Sequence, residues 1–205
     1  MHRVLEALPR APQTVLDVGC AHGRFAALLA EHGVEAAYTG VDASRALLAR
    51  ARARTDLVPR TSWLELDLLE APDRLPAGPF DLVTLFGVIH HIPGETRRAA
   101  LLRTLAERVA PAGTLAVAFW RTIGDAPRRR VDWDRVGIDP ADLEPGDRLQ
   151  TFDGDESALR YAHFADDAEL GRVERAAGLP LAFRFESDGT GQVANAYLLF
   201  RREPA

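Results

Sequence analysis

The segment Thr14-Val15-Leu16-Asp17-Val18-Gly19-Cys20-Ala21-His22-Gly23-Arg24-Phe25 constrains the fold of this chain more than any other. Five residues of strand character run into a glycine turn, and an amphipathic stretch begins at once. Phe25, Leu28 and Leu29 fall at i, i+3 and i+4, and Gly33 supplies a C-terminal stop. A strand feeding a helix through a tight turn is the repeating unit of an open α/β sheet. Gly19 and Gly23 let the backbone approach a ligand closely, because no side chain blocks it. The free N–H groups at the start of the helix add positive potential there.

The same alternation continues along the chain. Strands are expected at 36–41 and 62–66, at Phe80–Phe86 and at Thr114–Trp120, the fourth apolar enough to be buried on both faces. Ser44 caps a helix to about Arg54, and a third helix is expected over Glu95–Ala110, stopped by Pro111 and Gly113. From Arg121 to about Phe164 the pattern breaks into Pro, Gly and charged residues, and a stretch of that length in a compact domain suggests a functional insert. Asp166 with Glu169 then forms an acidic variant of the capping box. The helix behind it buries Leu170, Val173 and Ala177. Leu181, Phe183 and Phe185 alternate with Ala182, Arg184 and Glu186 as a half-buried strand, and Val193–Arg201 returns antiparallel beside it. The expectation is a single α/β domain over residues 1–205, with five parallel strands, a terminal hairpin and an insert at about 121–164.

Composition narrows the function. One cysteine excludes a disulfide framework and a zinc site built on several thiolates, and no metal site is expected. A net charge of −5 excludes a globally basic nucleic-acid coat protein, though not a local basic patch. No apolar run reaches the ~18 residues that span a bilayer, and the first residues lack the apolar core of a signal peptide. A cytoplasmic protein without membrane contact is expected.

Two ligand types use a glycine loop of this kind, dinucleotides and S-adenosylmethionine. The dinucleotide fingerprint G-x-G-x-x-G requires glycine where Ala21 stands. Asp17, two residues before the first glycine, is placed to reach the ammonium of a bound amino acid. The spacing D-x-G-x-x-x-G resembles motif I of class I S-adenosylmethionine-dependent methyltransferases, with Ala21 in place of the middle glycine. That resemblance covers about residues 12–120 and implies a Rossmann-like, mostly parallel seven-stranded sheet with an antiparallel C-terminal hairpin and helices on both faces. It implies S-adenosylmethionine as cofactor, with Asp17, Gly19, Cys20, Ala21 and Gly23 around the methionine part. Asp42 and Ala43 fall at the ribose, Asp67 and the Leu68 N–H at the adenine, and Phe86 near the methyl group. Plainer roles stay open: Asp42 as a helix cap, Asp67 as a turn former, Cys20 as a small packed residue.

After the fourth strand, Gly87-Val88-Ile89-His90-His91-Ile92-Pro93 resembles the corresponding segment of many class I methyltransferases. His91 or His90 is a candidate general base, substrate anchor or structural residue. The pair His90-His91, the stretch Arg97–Gly113, Arg160-Tyr161-Ala162-His163-Phe164 and Asp167-Ala168-Glu169-Leu170 together resemble the tRNA wobble-uridine carboxymethyl methyltransferases. That resemblance implies methyl esterification of a carboxymethyl group on a tRNA uridine and, by analogy with eukaryotic members, a small zinc-containing activator protein as partner. A carboxylate acceptor calls for an arginine, and Arg121 and Arg160 are candidates. Tyr161 or Trp133 would stack on a base, and Arg128-Arg129-Arg130 would hold phosphates. Three alternatives remain: a small-metabolite methyltransferase, a non-catalytic S-adenosylmethionine-binding module, and an NAD-linked oxidoreductase, which Ala21 and Asp67 disfavour.

Overall fold

The computed structural model describes residues 1–122, 133–152, 155–190 and 193–205. Its strands are β1 (Thr14–Val18), β2 (Ala37–Asp42), β3 (Arg60–Glu65), β4 (Phe80–Leu85), β5 (Val109–Thr122), β6 (Asp147–Phe152), β7 (Asp155–His163), β8 (Leu181–Thr190) and β9 (Val193–Arg201). Its α-helices are α1 (His2–Glu6), α2 (Arg24–Glu31), α3 (Arg45–Arg52), α4 (Glu95–Ala106) and α5 (Asp167–Ala176). Seven strands form one sheet in the order β3-β2-β1-β4-β5-β9-β8, the first five parallel and β9 antiparallel to both neighbours.

Alternation along the central strands decides the layering. Leu16 and Val18 of β1, Val83 and Leu85 of β4, and Leu115 and Val117 of β5 point to one face, where Leu102 and Leu105 of α4 and Leu170 and Val173 of α5 cover them. Val15, Leu82 and Ala116 point to the other face, against Val4 of α1, Phe25 and Leu29 of α2 and Leu48 of α3. Strand order reverses between β1 and β4, and the crevice outside the carboxyl ends of strands at such a switch is where open α/β sheets bind ligands. No helix among the described residues is long and apolar enough to cross a membrane.

Several expectations are corrected. α4 ends at Ala106, not at Ala110, and β5 begins at Val109. Ala112 takes φ +60° and the β4–β5 register shifts between Phe80 and Leu82, so Pro111 and Gly113 irregularise a strand and do not stop a helix. The insert is not structureless among its described residues: β6 and β7 pair antiparallel as a separate two-stranded sheet. Phe185 is buried, but Leu181 and Phe183 are 37% and 42% exposed, because β8 is the sheet edge and its pairing slips between those two residues. Asp166 caps α5 by accepting the Glu169 N–H at 2.7 Å, yet the Glu169 carboxylate does not complete a capping box and turns into a buried ion network.

Candidate functional site

The glycine loop is built from both sides. Gly19 has φ +76°, and a Cβ there would lie 1.9 Å from Val88 Cγ2, so the loop and the segment after β4 meet at glycine distance. Ala21 takes φ +49°, a left-handed conformation that costs a non-glycine residue ~1–2 kcal/mol. Asp42, the last residue of β2, holds it there. Its Oδ2 accepts the Ala21 N–H at 2.9 Å, and its Oδ1 accepts the Ser44 N–H at 2.8 Å, at the cap of α3. Ser44 caps that helix in turn by accepting from Leu47 N at 3.3 Å. Asp67, two residues past β3, accepts the Leu69 N–H at 2.8 Å.

Asp42 and Asp67 line one cleft of about 190 Å³, together with Gly19, Ala43, Leu66, Leu68, Val88, His91 and Ile92. Its chemistry fits an adenosine. A carboxylate at one end could accept from vicinal hydroxyls, a second could accept from an exocyclic amine, and the aliphatic side chains would flank a flat ring placed between them.

Asp17 is not brought into that cleft. The alternation of β1 puts it on the Val15 face, where it is buried and accepts hydrogen bonds from the Tyr38 hydroxyl and, at 2.6 Å, from Thr84 Oγ1. Burial raises its pKa to about 6 despite these two bonds. The raised value fixes the sign of its linkage. The proton-bound form is favoured in the fold, so the Asp17 contribution is fully present below pH 3.8 and is lost as pH rises through about 6. Asp17→Asn is therefore expected to stabilise the protein at pH 8 by up to about 3 kcal/mol, and to flatten the stability profile between pH 4 and 6. Denaturant titrations at both pH values check this. A large loss of stability at pH 8 would mean that the ionised carboxylate is what Tyr38 and Thr84 require.

A larger cavity of about 1160 Å³ opens beside the cleft, walled by Phe86, His90, His91, Trp120, Arg160, Asn195 and Tyr197, with Arg24 from the start of α2. His91 lines both cavities and so stands at their junction. Its Nδ1 lies 2.9 Å from the Tyr161 carbonyl. A carbonyl only accepts, so Nδ1 carries the proton and Nε2 is the acceptor of the ring. Burial, helped by the nearby Arg160 charge, lowers the His91 pKa against the opposing pull of that carbonyl, which keeps the ring neutral near pH 7. His90 is 2% exposed and stacks on Trp120 at 3.7 Å. Burial drives its pKa down to about 2. Neither of its ring nitrogens has a hydrogen-bond partner among the described residues.

The remaining expected residues distribute as follows. Arg160 lies over the Trp120 ring at 5.4 Å, in the cavity wall. Arg121 points elsewhere and pairs with Asp167 at 3.1 Å and with Glu186. The Tyr161 hydroxyl donates to Asp147 at 2.6 Å, away from the cavity. Cys20 is buried, and burial pushes its thiol pKa up, which suits a packed residue and not a nucleophile. Arg128–Arg130 lie outside the described residues. Sequence reasoning missed Arg24, Asn195 and Tyr197 as cavity residues. Arg24 directly follows the second loop glycine, and Asn195 is the single asparagine of the chain, both usable signals.

Residues 16–115 match the family model described as a methyltransferase domain. Over 118 residues the chain is 35% identical to a trans-aconitate 2-methyltransferase of Azoarcus sp. (strain BH72). The match covers 58% of this chain and 43% of that protein, so it spans less than half of the relative's length. A SAM-dependent methyltransferase structure from Methanosarcina mazei superposes with a TM-score of 0.75 at 13% identity, covering 100% of this chain and 99% of that one. The N-methyltransferase NodS from Bradyrhizobium japonicum WM9, in complex with S-adenosyl-l-homocysteine, superposes with a TM-score of 0.65 at 20% identity, covering 98% and 84%.

Proposed function

We propose that this chain, which carries a methyltransferase domain in the class I S-adenosylmethionine-dependent fold, transfers a methyl group to a carboxylate of a small organic acid. The observation that carries the reading is the junction at His91 of two unlike cavities. One is a narrow cleft between two carboxylates. The other is a wide cavity whose walls carry aromatic rings and the arginines Arg24, Arg54 and Arg160.

The cleft residues would hold S-adenosylmethionine: Asp42 at the ribose, Asp67 and Leu68 at the adenine, and the Gly19–Gly23 loop at the methionine part. When bound, that cofactor supplies a sulfonium methyl group open to in-line attack. The protein's share of the work is alignment and exclusion of water. Arg160 and Arg24 supply positive charge to an anionic acceptor, and Phe86, Trp120 and Tyr197 lower the local dielectric. A carboxylate nucleophile at pH 7 has already lost its proton, so no base is required. His91 Nε2, an acceptor, makes no hydrogen bond to that carboxylate itself; it would accept one from a hydroxyl or protonated carboxyl elsewhere on the acceptor, and would take a proton only from a hydroxyl or amine nucleophile.

The wide cavity has room for a small organic acid, and the trans-aconitate enzyme among the relatives supports an acceptor of that class. This favours a small acceptor over the tRNA uridine suggested by the narrower sequence resemblance, and an activator protein belongs with that tRNA reading. The test is transfer of labelled methyl from S-adenosylmethionine to a panel of small di- and tricarboxylates and, separately, to total tRNA. Label is expected as base-labile ester in the acid fraction. Arg160→Ala is expected to raise KM for the acid about 10- to 100-fold, the value of one charge-assisted contact. Label confined to tRNA would reverse the choice of acceptor. Tight cofactor binding with transfer to neither pool would favour a non-catalytic module.

A further inference from the structure

The insert hairpin is joined to the body through a closed set of buried charges. Arg98 of α4 is 1% exposed. Its Nε donates to Glu169 of α5 at 3.0 Å and one terminal nitrogen to Glu144 at 2.7 Å. The other donates to the Ile92 carbonyl at 3.1 Å. His163 of β7 bridges two carboxylates, Nε2 to Glu169 at 2.5 Å and Nδ1 to Asp147 of β6 at 2.7 Å. The Tyr161 hydroxyl, also from β7, closes the set on Asp147.

Both ends of this network terminate on backbone beside His91. Arg98 fixes the carbonyl of Ile92, the next residue, and Tyr161 presents its own carbonyl to His91 Nδ1. Tyr161 and His163 are two apart on β7, so their side chains share one face of that strand, and both turn into the network. What holds β7 in place therefore also holds the Tyr161 carbonyl. We propose that Arg98 and His163 are positioning residues for His91, clamping it between the Ile92 and Tyr161 backbone so that its ring keeps the Nδ1–H form with Nε2 as acceptor at the junction of the two cavities. The value of that ring to transfer rests on the methyltransferase reading above; its positioning does not.

The charges agree with such a clamp. Burial opposes the His163 charge, but its bonds to Asp147 and Glu169 outweigh this and raise its pKa, so both ring nitrogens donate. Burial likewise opposes ionisation of Asp147 and Glu169, and their cationic and hydroxyl partners nonetheless keep both carboxyls below the ordinary value. Glu144, Asp147 and His163 converge closely enough to surround a cation. The Arg98 guanidinium already supplies that charge.

The experiment compares wild type, His163→Gln and Tyr161→Phe, with histidine labelled in carbon-13 and nitrogen-15 and the His91 ring assigned by its own substitution. In wild type one Nδ1–H tautomer is expected. In both variants the His91 signals are expected to shift towards a mixture of tautomers. Binding of S-adenosylhomocysteine should stay within about twofold, and kcat should fall about 10- to 100-fold with little change in KM for the cofactor, the pattern of lost alignment. Should His163→Gln fail to fold, Tyr161→Phe, which removes one hydroxyl and keeps the ring, gives the answer alone. An unchanged Nδ1–H signature in the folded variants overturns the proposal. An absence of any methyl transfer by wild type overturns the functional reading instead, and the ring signals still decide the positioning.

Discussion

Asp42→Ala is expected to weaken binding of S-adenosylhomocysteine at least about 100-fold while leaving the protein folded. Two effects act through the same carboxylate. The first is direct: charge-assisted bonds to ribose hydroxyls are worth about 1.5–3 kcal/mol each, and two of them give a factor above 100. The second acts through the loop. Asp42 accepts the Ala21 N–H and the Ser44 N–H, and Ala21 stands in a left-handed conformation that nothing in its own side chain favours. Without the carboxylate, the loop is free to relax out of that conformation and away from the cleft. The cost to stability stays near ~2 kcal/mol, because water can reach the released N–H groups at this partly buried site. Asp42→Asn separates the effects. It keeps one acceptor oxygen, but its amide turns a donor towards a donor, so most of the loss should remain. Calorimetry with S-adenosylhomocysteine, beside thermal melts, reads both. Affinity within about fivefold of wild type for the alanine variant would remove the cleft from the cofactor.

The part of the site legible in the sequence is the part that depends on strand ends. Asp42 and Asp67 could be placed because a parallel strand followed by a turn puts its last residues at the ligand edge whatever the helices do. Asp17 follows the same rule in sequence but not in direction. Alternation on β1 turns it beneath the loop, where Tyr38 and Thr84 meet it, and those partners come from strands that only the sheet order brings together. Arg121 and Arg160 were equivalent as cations in the sequence. Packing separates them, since α5 and β8 offer Asp167 and Glu186 to the first, while the second lies over Trp120. The hairpin β6–β7 was hidden because its partner is neither the main sheet nor a long apolar run. Its anchor is a set of buried polar side chains from α4, α5 and the insert itself, and hydrophobic periodicity carries no record of those.

Arg98→Ala is expected to destabilise the protein by about 3–5 kcal/mol, the usual result of removing one partner from a buried ion pair. For a chain of this length that corresponds to a fall in Tm of roughly 6–20 °C. The reason is what remains. Glu169 is buried and keeps only His163, the Ile92 carbonyl loses its donor, and Glu144 keeps the Glu95 N–H and the more distant His163. The pH window follows from the signs. Asp147 and Glu169 have lowered values in the fold, so their contribution is present above 3.8 and 4.5 and is lost as pH falls through the folded values. His163 has a raised value, so its contribution is complete below 6.5 and is lost as pH rises through the folded value. Stabilisation by the network is thus complete between about pH 4.5 and 6.5. The Arg98 charge opposes protonation of His163 and favours ionised Glu169, so the gap between wild type and Arg98→Ala should widen as pH rises. Arg98→Met combined with Glu169→Leu removes the pair as a whole. Apolar replacement of a complete buried pair is near neutral or stabilising, but here Glu144 loses Arg98 and the buried His163 Nε2 loses Glu169, so this double variant should recover only part of the melting temperature lost in Arg98→Ala. If it recovers the melting temperature and still transfers methyl groups slowly, the charges serve the geometry of the site more than the stability of the fold. Full recovery of both would make the network dispensable. A melting temperature for Arg98→Ala within a degree or two of wild type would show that the guanidinium is not the charge on which the two glutamates depend.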